Sequence, residues 1–121
     1  LLLKLFIAGT RYQVRTAGRT RRLYTDGVFH SQYQPERLHT GGVWDLLMMP
    51  ALFVEPGQIR RILLLGVGGG TAIHLLRHYV KPELIDAIDL SSVHLDIARR
   101  FFDVQPSMAN LICADGIDWL K

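Results

Sequence analysis

Two carboxylates placed behind a run of glycines are the residues of this sequence best suited to chemistry. Gly66, Gly68, Gly69 and Gly70 follow directly on the apolar run Ile62–Leu65, and Asp89 and Asp115 close two later apolar segments. Glycines let the backbone turn sharply and bring its N–H groups close to a ligand with no Cβ in the way. A helix starting just beyond such a turn adds the positive end of its dipole. Asp89 follows the glycines by roughly twenty residues, the spacing at which a carboxylate on a strand tip accepts both hydroxyls of a ribose. Asp115, at the end of the next segment, lies along the same sheet edge, where ligands of open α/β sheets collect.

These residues need strands and helices to carry them. Ile62–Leu65 suits a strand covered on both faces, as in a parallel sheet. Thr71 to Val80 places Ile73, Leu76 and Val80 at helical spacing, with Leu75 beside them. Leu84–Asp89 reads as a second strand, and Ser91–Phe102 as a helix capped by Ser91 or Ser92, with Leu95, Ala98 and Phe102 along one face. Asn110–Ala114 is a third strand. Upstream, Arg11–Thr16, Arg21–Thr25 and Val28–Tyr33 are short strand candidates, and Asp26-Gly27 is a strong two-residue hairpin signal. Residues 34–42 read as a hinge. Val43–Val54 reads as a helix kinked by Pro50, with Leu46, Leu47, Met49 and Phe53 as its apolar residues and Met48-Met49 as core filler. Glu55 to Gln58 reads as a turn.

The glycine spacing narrows the ligand. Gly66-x-Gly68-x-Gly70 fits G-x-G-x-G, the loop of S-adenosylmethionine enzymes, whereas the dinucleotide pattern G-x-G-x-x-G needs glycine where the chain has Thr71. The run from Leu63 to Thr71, then Ala87 to Phe102, then Ala114 to Leu120, together with Arg11-Tyr-Gln-Val-Arg15 and the hairpin Arg22 to Gln32, resembles a known family. It is similar to the spermidine synthase-like (polyamine aminopropyltransferase-like) branch of the S-adenosylmethionine-dependent class I transferases. The resemblance implies an α/β fold: the N-terminal half of a Rossmann-like parallel sheet, preceded by a small antiparallel β-sheet. The expected division is 1–40 for the antiparallel sheet and 41–121 for the nucleotide-binding part.

Carried onto this chain, the resemblance implies that Gly66, Gly68 and Gly70 line the aminoacyl or aminopropyl end of S-adenosylmethionine or its decarboxylated form. Asp89 replaces the family's ribose-binding glutamate, Asp115 accepts the adenine amine, and the Gly116 backbone lies against the ring. Leu90 resembles a residue packing on adenine, and Gln13 would reach the sulfur side. On this view Asp89→Ala weakens the cofactor and leaves the ligand-free thermal midpoint almost unmoved. The implied partner is a small nucleophile, a polyamine or another acceptor, receiving an aminopropyl or methyl group.

Departures from the family pattern bear on substrate and chemistry. Gly69 stands where spermidine synthases carry a loop aspartate for the aminopropyl ammonium, so an aspartate restored there is expected to favour the decarboxylated donor. Trp44 and Asp45 occupy the region of the family's polyamine-binding residues. The family's catalytic aspartate motif would follow the next strand, beyond Lys121, so no catalytic residue is assigned. A methyltransferase and a non-catalytic nucleotide-binding scaffold are the alternatives to an aminopropyltransferase. The expected arrangement leaves the first parallel strand with a bare edge. It reads as the N-terminal piece of a longer protein or as a chain completed by a partner, with a homo-oligomer as one form.

Composition sets outer bounds. The chain has 121 residues, 49% of them hydrophobic, enough for a real core. Its net charge of +3 is concentrated in Arg11, Arg15, Arg19, Arg21 and Arg22. A nucleic-acid surface would interleave such charges with more stacking aromatics than Tyr12 and Tyr24, so a solvated strand face is expected. The patch also repels a polycation. One cysteine, Cys113, excludes an internal disulfide, fits a cytoplasmic setting and reads as a buried core residue. His74 and His78 lie one helical turn apart without a third ligand, and no metal site is expected. The opening Leu1–Ile7 segment is too short to span a bilayer and is interrupted by Lys4, so neither a membrane partner nor a signal peptide is expected.

Overall fold

The computed structural model describes residues 1–55 and 57–121; Pro56, within the turn expected over 55–58, lies outside the described residues. Four antiparallel strands come first: β1 (Leu3–Ile7), β2 (Thr10–Ala17), β3 (Thr20–Thr25) and β4 (Val28–Tyr33), in spatial order β1-β2-β3-β4. Asp26 (φ 49°) and Gly27 (φ 80°) make the β3–β4 turn with both central residues left-handed, the geometry that matches strand twist and favours an Asp-Gly pair. Strand β1 was not among the expected strands; it pairs with β2 from Leu3 opposite Val14 to Ile7 opposite Thr10.

After the meander come α1 (Val43–Met48) and a 3-10 turn over Met49–Phe53 with Pro50 near its start. Proline lacks the N–H an α-helix needs, so the kink falls where the sequence puts it. Met48 is buried, but Leu46, Leu47, Met49 and Phe53 are exposed, so the expected apolar face is bare and only half of the Met48-Met49 pair fills core.

The second sheet is parallel: β5 (Arg61–Leu65), β6 (Leu84–Asp89) and β7 (Asn110–Cys113), with β6 in the middle. Helix α2 (Thr71–Tyr79) follows β5, α3 (Ser92–Phe101) follows β6, and the short α4 (Gly116–Trp119) follows β7. Ile85, Ala87 and Ile88 of the central strand are buried. Strand β5 departs from expectation: Leu63 is 41% and Leu65 47% exposed, so one of its faces is open rather than covered. Ile62 and Leu64 pack on the core formed with α2 and α3, whereas Leu63 and Leu65 alternate to the opposite face of the sheet. Cys113, expected in the core, is exposed near the edge formed by β7.

Helix α3 joins the two sheets. Leu95 and Ala98 pack into the core with Ile73 and Leu75 of α2 and Ile85 of β6. Ile97 turns the other way, and Phe102 at the helix end joins it against Tyr12, Val14 and Leu23 of the meander. The expected single stripe is thus two stripes, and Phe102 belongs to the second. Arg21 adds a polar tie, donating to the Phe101 carbonyl at 2.7 Å.

Phe102 has no exposed surface and Phe53 is 86% exposed. Phe102→Ala should therefore cost about 3–5 kcal/mol through lost transfer energy and a cavity. Phe53→Ala should stay within about 0.5 kcal/mol of the parent. Equilibrium denaturation of the two variants checks this, and equal costs would contradict the assigned packing.

Candidate functional site

The carboxyl ends of the three parallel strands enclose an open cleft of about 340 Å³. Its walls are Leu65-Gly66 after β5, Ile88-Asp89-Leu90 after β6 and Ala114 to Ile117 after β7. Five of the sequence-predicted residues therefore meet in one place: Gly66, Asp89, Leu90, Asp115 and Gly116. Gly66 has φ 85°, and a Cβ added there would meet nothing within 4 Å, so this end of the loop presents bare backbone to the cleft. Leu90 is 72% exposed, an apolar side chain standing at the cleft rather than in the core.

Asp89 is the most heavily engaged carboxylate. Its Oδ2 accepts the N–H groups of Val67 (2.9 Å) and Gly68 (3.0 Å), and its Oδ1 accepts that of Ser91 (2.8 Å). The ring of His94 lies 3.7 Å from Oδ2. Burial opposes ionisation of Asp89, but His94 and the Ser91, Val67 and Gly68 N–H groups outweigh it, and the carboxyl titrates well below the usual carboxylate range. A two-oxygen carboxylate offers about four lone-pair positions, so one acceptor site on Oδ1 remains after these bonds.

Asp115 caps α4 through Oδ1, which accepts from Ile117 (2.8 Å) and Asp118 (3.3 Å). Its Oδ2 makes no hydrogen bond among the described residues. Gly116 lies against Leu65, whose Cδ2 would be 3.1 Å from an added Cβ. The close approach of β5 and α4 leaves little room for a side chain there.

The other predicted residues, Gly68, Gly70 and Gln13, do not line this cleft, and of them Gly68 is tied to it through the Asp89 carboxylate. A Cβ at Gly68 would meet the Ser31 hydroxyl at 2.8 Å, and one at Gly70 would meet Val104 at 2.7 Å. Both glycines serve close packing, Gly68 against β4 and Gly70, the N-cap of α2, against the segment after α3. Gln13 sits on the meander face opposite Tyr12 and Val14 and accepts a hydrogen bond from Arg15. The residue of that strand facing α3 is Tyr12, whose hydroxyl lies 3.5 Å from the Ser91 hydroxyl. Asp45 is taken up by the N–H and hydroxyl of Thr40 and the N–H of Gly41. Burial opposes its ionisation, yet those bonds hold its carboxyl below the usual value. Trp44 donates to the His30 carbonyl and packs edge-on to Phe29.

Three residues near the site went unassigned in the sequence. Ser31 accepts the Gly69 N–H at 2.8 Å, fixing the loop to the meander. His94 reaches Asp89 on one side and the Thr25 hydroxyl (2.8 Å) on the other. His30 faces His94, with ring centroids 5.6 Å apart, and burial together with His94 lowers its pKa against the opposing pull of Asp89. No sequence signal marks them, because each acts through a contact between elements distant in the chain.

Gly69 has a steric account. A Cβ there would lie 3.0 Å from the Phe102 ring and from the Ser31 side chain. An aspartate at this position meets a packed interface and requires the Phe102 ring or Ser31 to shift by a few tenths of an ångström. Gly69→Asp is therefore expected to lower stability as well as to change donor preference.

No family model matches the chain. In sequence it is 30% identical over 98% of its length to a polyamine aminopropyltransferase of Thermococcus onnurineus (strain NA1), of which it spans 43%. Among solved structures it resembles spermidine synthase from Thermotoga maritima, with a TM-score of 0.74 at 12% identity, over 98% of this chain and 41% of that one. It also resembles human methyltransferase-like protein 13 in complex with SAH, with a TM-score of 0.53 at 24% identity, over 63% of this chain and 37% of that one. The fold is that shared by spermidine synthases and methyltransferases, a Rossmann-like parallel sheet preceded here by an antiparallel one. Within that class the chain is spermidine synthase-like. It spans less than half the length of the curated relative.

Among the described residues no helix is long and apolar enough to cross a membrane, and no cluster of three metal-ligating side chains occurs. His74 is instead bonded to the Phe102 carbonyl through Nε2.

The bonds of Asp89 replace one sequence-based expectation: its removal should now unsettle the ligand-free protein. Asp89→Asn should lower stability at pH 7 by about 1–3 kcal/mol, because an amide has one acceptor oxygen for three N–H groups. The depressed folded pKa fixes the sign of the pH effect. Its stabilisation is complete above the unfolded carboxylate value, about 3.9, and is lost as pH falls below it towards the folded value. Denaturation from pH 7 down to pH 2 should show a shallower acid decline for Asp89→Asn than for the parent. Identical curves would contradict the assigned role.

Proposed function

We propose that the strand-end cleft binds an S-adenosyl compound and that the protein containing this chain transfers an alkyl group from it to a small nucleophile. The observation that carries the reading is the meeting of Gly66, Asp89, Leu90, Asp115 and Gly116 around one cleft at the carboxyl edge of a parallel sheet. The chemistry of each fits a part of such a ligand. The free lone pair on Asp89 Oδ1 suits one ribose hydroxyl rather than two, since the shorter side chain is spent on the loop. Asp115 Oδ2 is available to an exocyclic amine, exposed Leu90 offers an apolar surface to a purine, and Gly66 leaves backbone open beside it.

Little acid–base work is asked of these residues. The donor's sulfonium already makes its attached carbons electrophilic, so the protein's task is to hold donor and acceptor in line and exclude water. The division of labour that follows assigns donor binding to 41–121 and places the meander of 1–40 beside it as the acceptor-side wall, with a polyamine or other nucleophile as substrate. On that side His30 of the meander faces His94 of α3, which reaches Asp89, and the Tyr12 hydroxyl lies beside that of Ser91.

A second reading, methyl transfer from ordinary S-adenosylmethionine, is favoured by Gly69. Phe102 and Ser31 crowd the position where a loop carboxylate would hold an aminopropyl ammonium, each 3.0 Å from an added Cβ. The carboxylate of the ordinary donor meets no negative charge at that position.

Isothermal calorimetry with S-adenosylmethionine, its decarboxylated form, S-adenosylhomocysteine, methylthioadenosine and NAD tests the assignment. Binding of S-adenosyl compounds tighter than NAD is expected, with at least a tenfold loss on Asp115→Ala. Heat with NAD and none with the others would reject it. Equal affinity for the two sulfonium donors supports the methyl-transfer reading, and strong preference for the decarboxylated donor supports aminopropyl transfer.

A further inference from the structure

A second cleft, of about 170 Å³, lies between the meander and the start of α2 and shares no lining residue with the strand-end cleft. Arg22, Arg37, Thr20, Thr40, Thr71 and His74 are among its walls, and no carboxylate lines it. Arg22 is unusual within it. Its Nε is buried yet has no hydrogen-bond partner, which makes it the sole such side-chain atom among the described residues. A buried guanidinium N–H without an acceptor is costly, and native proteins rarely keep one without a reason. Neither Arg22 nor Arg37 forms an ion pair among the described residues, whereas Arg19, on the same hairpin, is paired with Glu36.

We propose that this second cleft is an oxyanion site taking a phosphate-class group, with Arg22 and Arg37 as its cationic donors. A guanidinium presents donors in a planar fork that matches the edge of a phosphate, and the bonds are charge-assisted. Threonine hydroxyls supplement such a fork. Of the three on the walls, Thr71 already donates to the Gln32 carbonyl and Thr40 to the Asp45 carboxylate, which leaves the hydroxyl of Thr20 to turn toward an anion. The volume exceeds that of a few waters at about 30 Å³ each, enough for a tetrahedral oxyanion with part of its hydration. Burial lowers the pKa of His74 against the opposing pull of the Phe102 carbonyl bonded to Nε2 and of Asp103. The sequence placed the arginines of this hairpin on a solvated face; Arg22 instead has a buried Nε, lines a cleft and sets its guanidinium over the Phe29 ring.

The test is titration of the protein with inorganic phosphate, followed by amide chemical shifts, at constant ionic strength set with sodium chloride. Saturable shifts at Arg22, Thr40 and Thr71 are expected. Arg22→Gln and Arg37→Gln should each weaken phosphate by roughly tenfold, while Arg19→Gln leaves it unchanged. Should Arg22→Gln fail to fold, the exposed Arg37 carries the test through its own variant. A parallel titration with AMP separates the sources. Tighter binding than phosphate, still dependent on the arginines, assigns the group to a larger ligand, and equal binding assigns a free ion. Shifts that chloride reproduces, or phosphate affinity indifferent to both Arg22→Gln and Arg37→Gln, would overturn the site.

Discussion

The conformation of the glycine loop depends on one carboxylate. A loop rich in glycine has many accessible backbone states, and fixing it costs more entropy per residue than fixing any other sequence. Asp89 opposes that cost by accepting two successive loop N–H groups on one oxygen and the N–H that opens α3 on the other. The same side chain thereby aligns the end of β5 with the end of β6 and sets the cleft between them. A ligand hydroxyl would join an existing network rather than find an idle acid.

The meander supports this loop from the other side. Ser31 accepts from Gly69, Gln32 accepts from the Thr71 hydroxyl, and Phe102 fills the space beneath Gly69. Interiors packed at crystal-like density leave no slack for an added side chain. The missing loop aspartate is therefore part of a repacked interface, in which Phe102, Ser31 and Gly69 fit one another. Phe102, which crowds Gly69, also helps hold the meander against α3.

Much of this was legible in the sequence. Apolar periodicity located β5 to β7, α2 and α3, and Asp26-Gly27 located its hairpin through a turn requirement that few residue pairs meet. The convergence of Asp89 and Asp115 followed from their places at strand ends, since a parallel sheet brings those ends to one edge. What stayed hidden depended on which face an element buries. Alternation in β2 identifies two faces, yet it cannot say that Tyr12 turns toward α3 and Gln13 away. Leu63, Leu65 and Cys113 read as core because their neighbours in sequence are apolar. Leu63 and Leu65 are exposed because they alternate away from the face on which Ile62 and Leu64 meet the core, a choice of face the apolar run does not record. The contacts of His94 and Ser31 join positions far apart in the chain, where no local pattern registers them.

The central claim is that Asp89 holds the glycine loop in its ligand-ready shape, and amide hydrogen exchange at Val67 and Gly68 tests it most directly. In Asp89→Asn, exchange at these two amides should quicken by at least tenfold, roughly the effect of losing one net hydrogen bond. The amide of Leu95 within α3 should change far less. Unaltered protection at Val67 and Gly68, or a uniform change across all three, would contradict the claim.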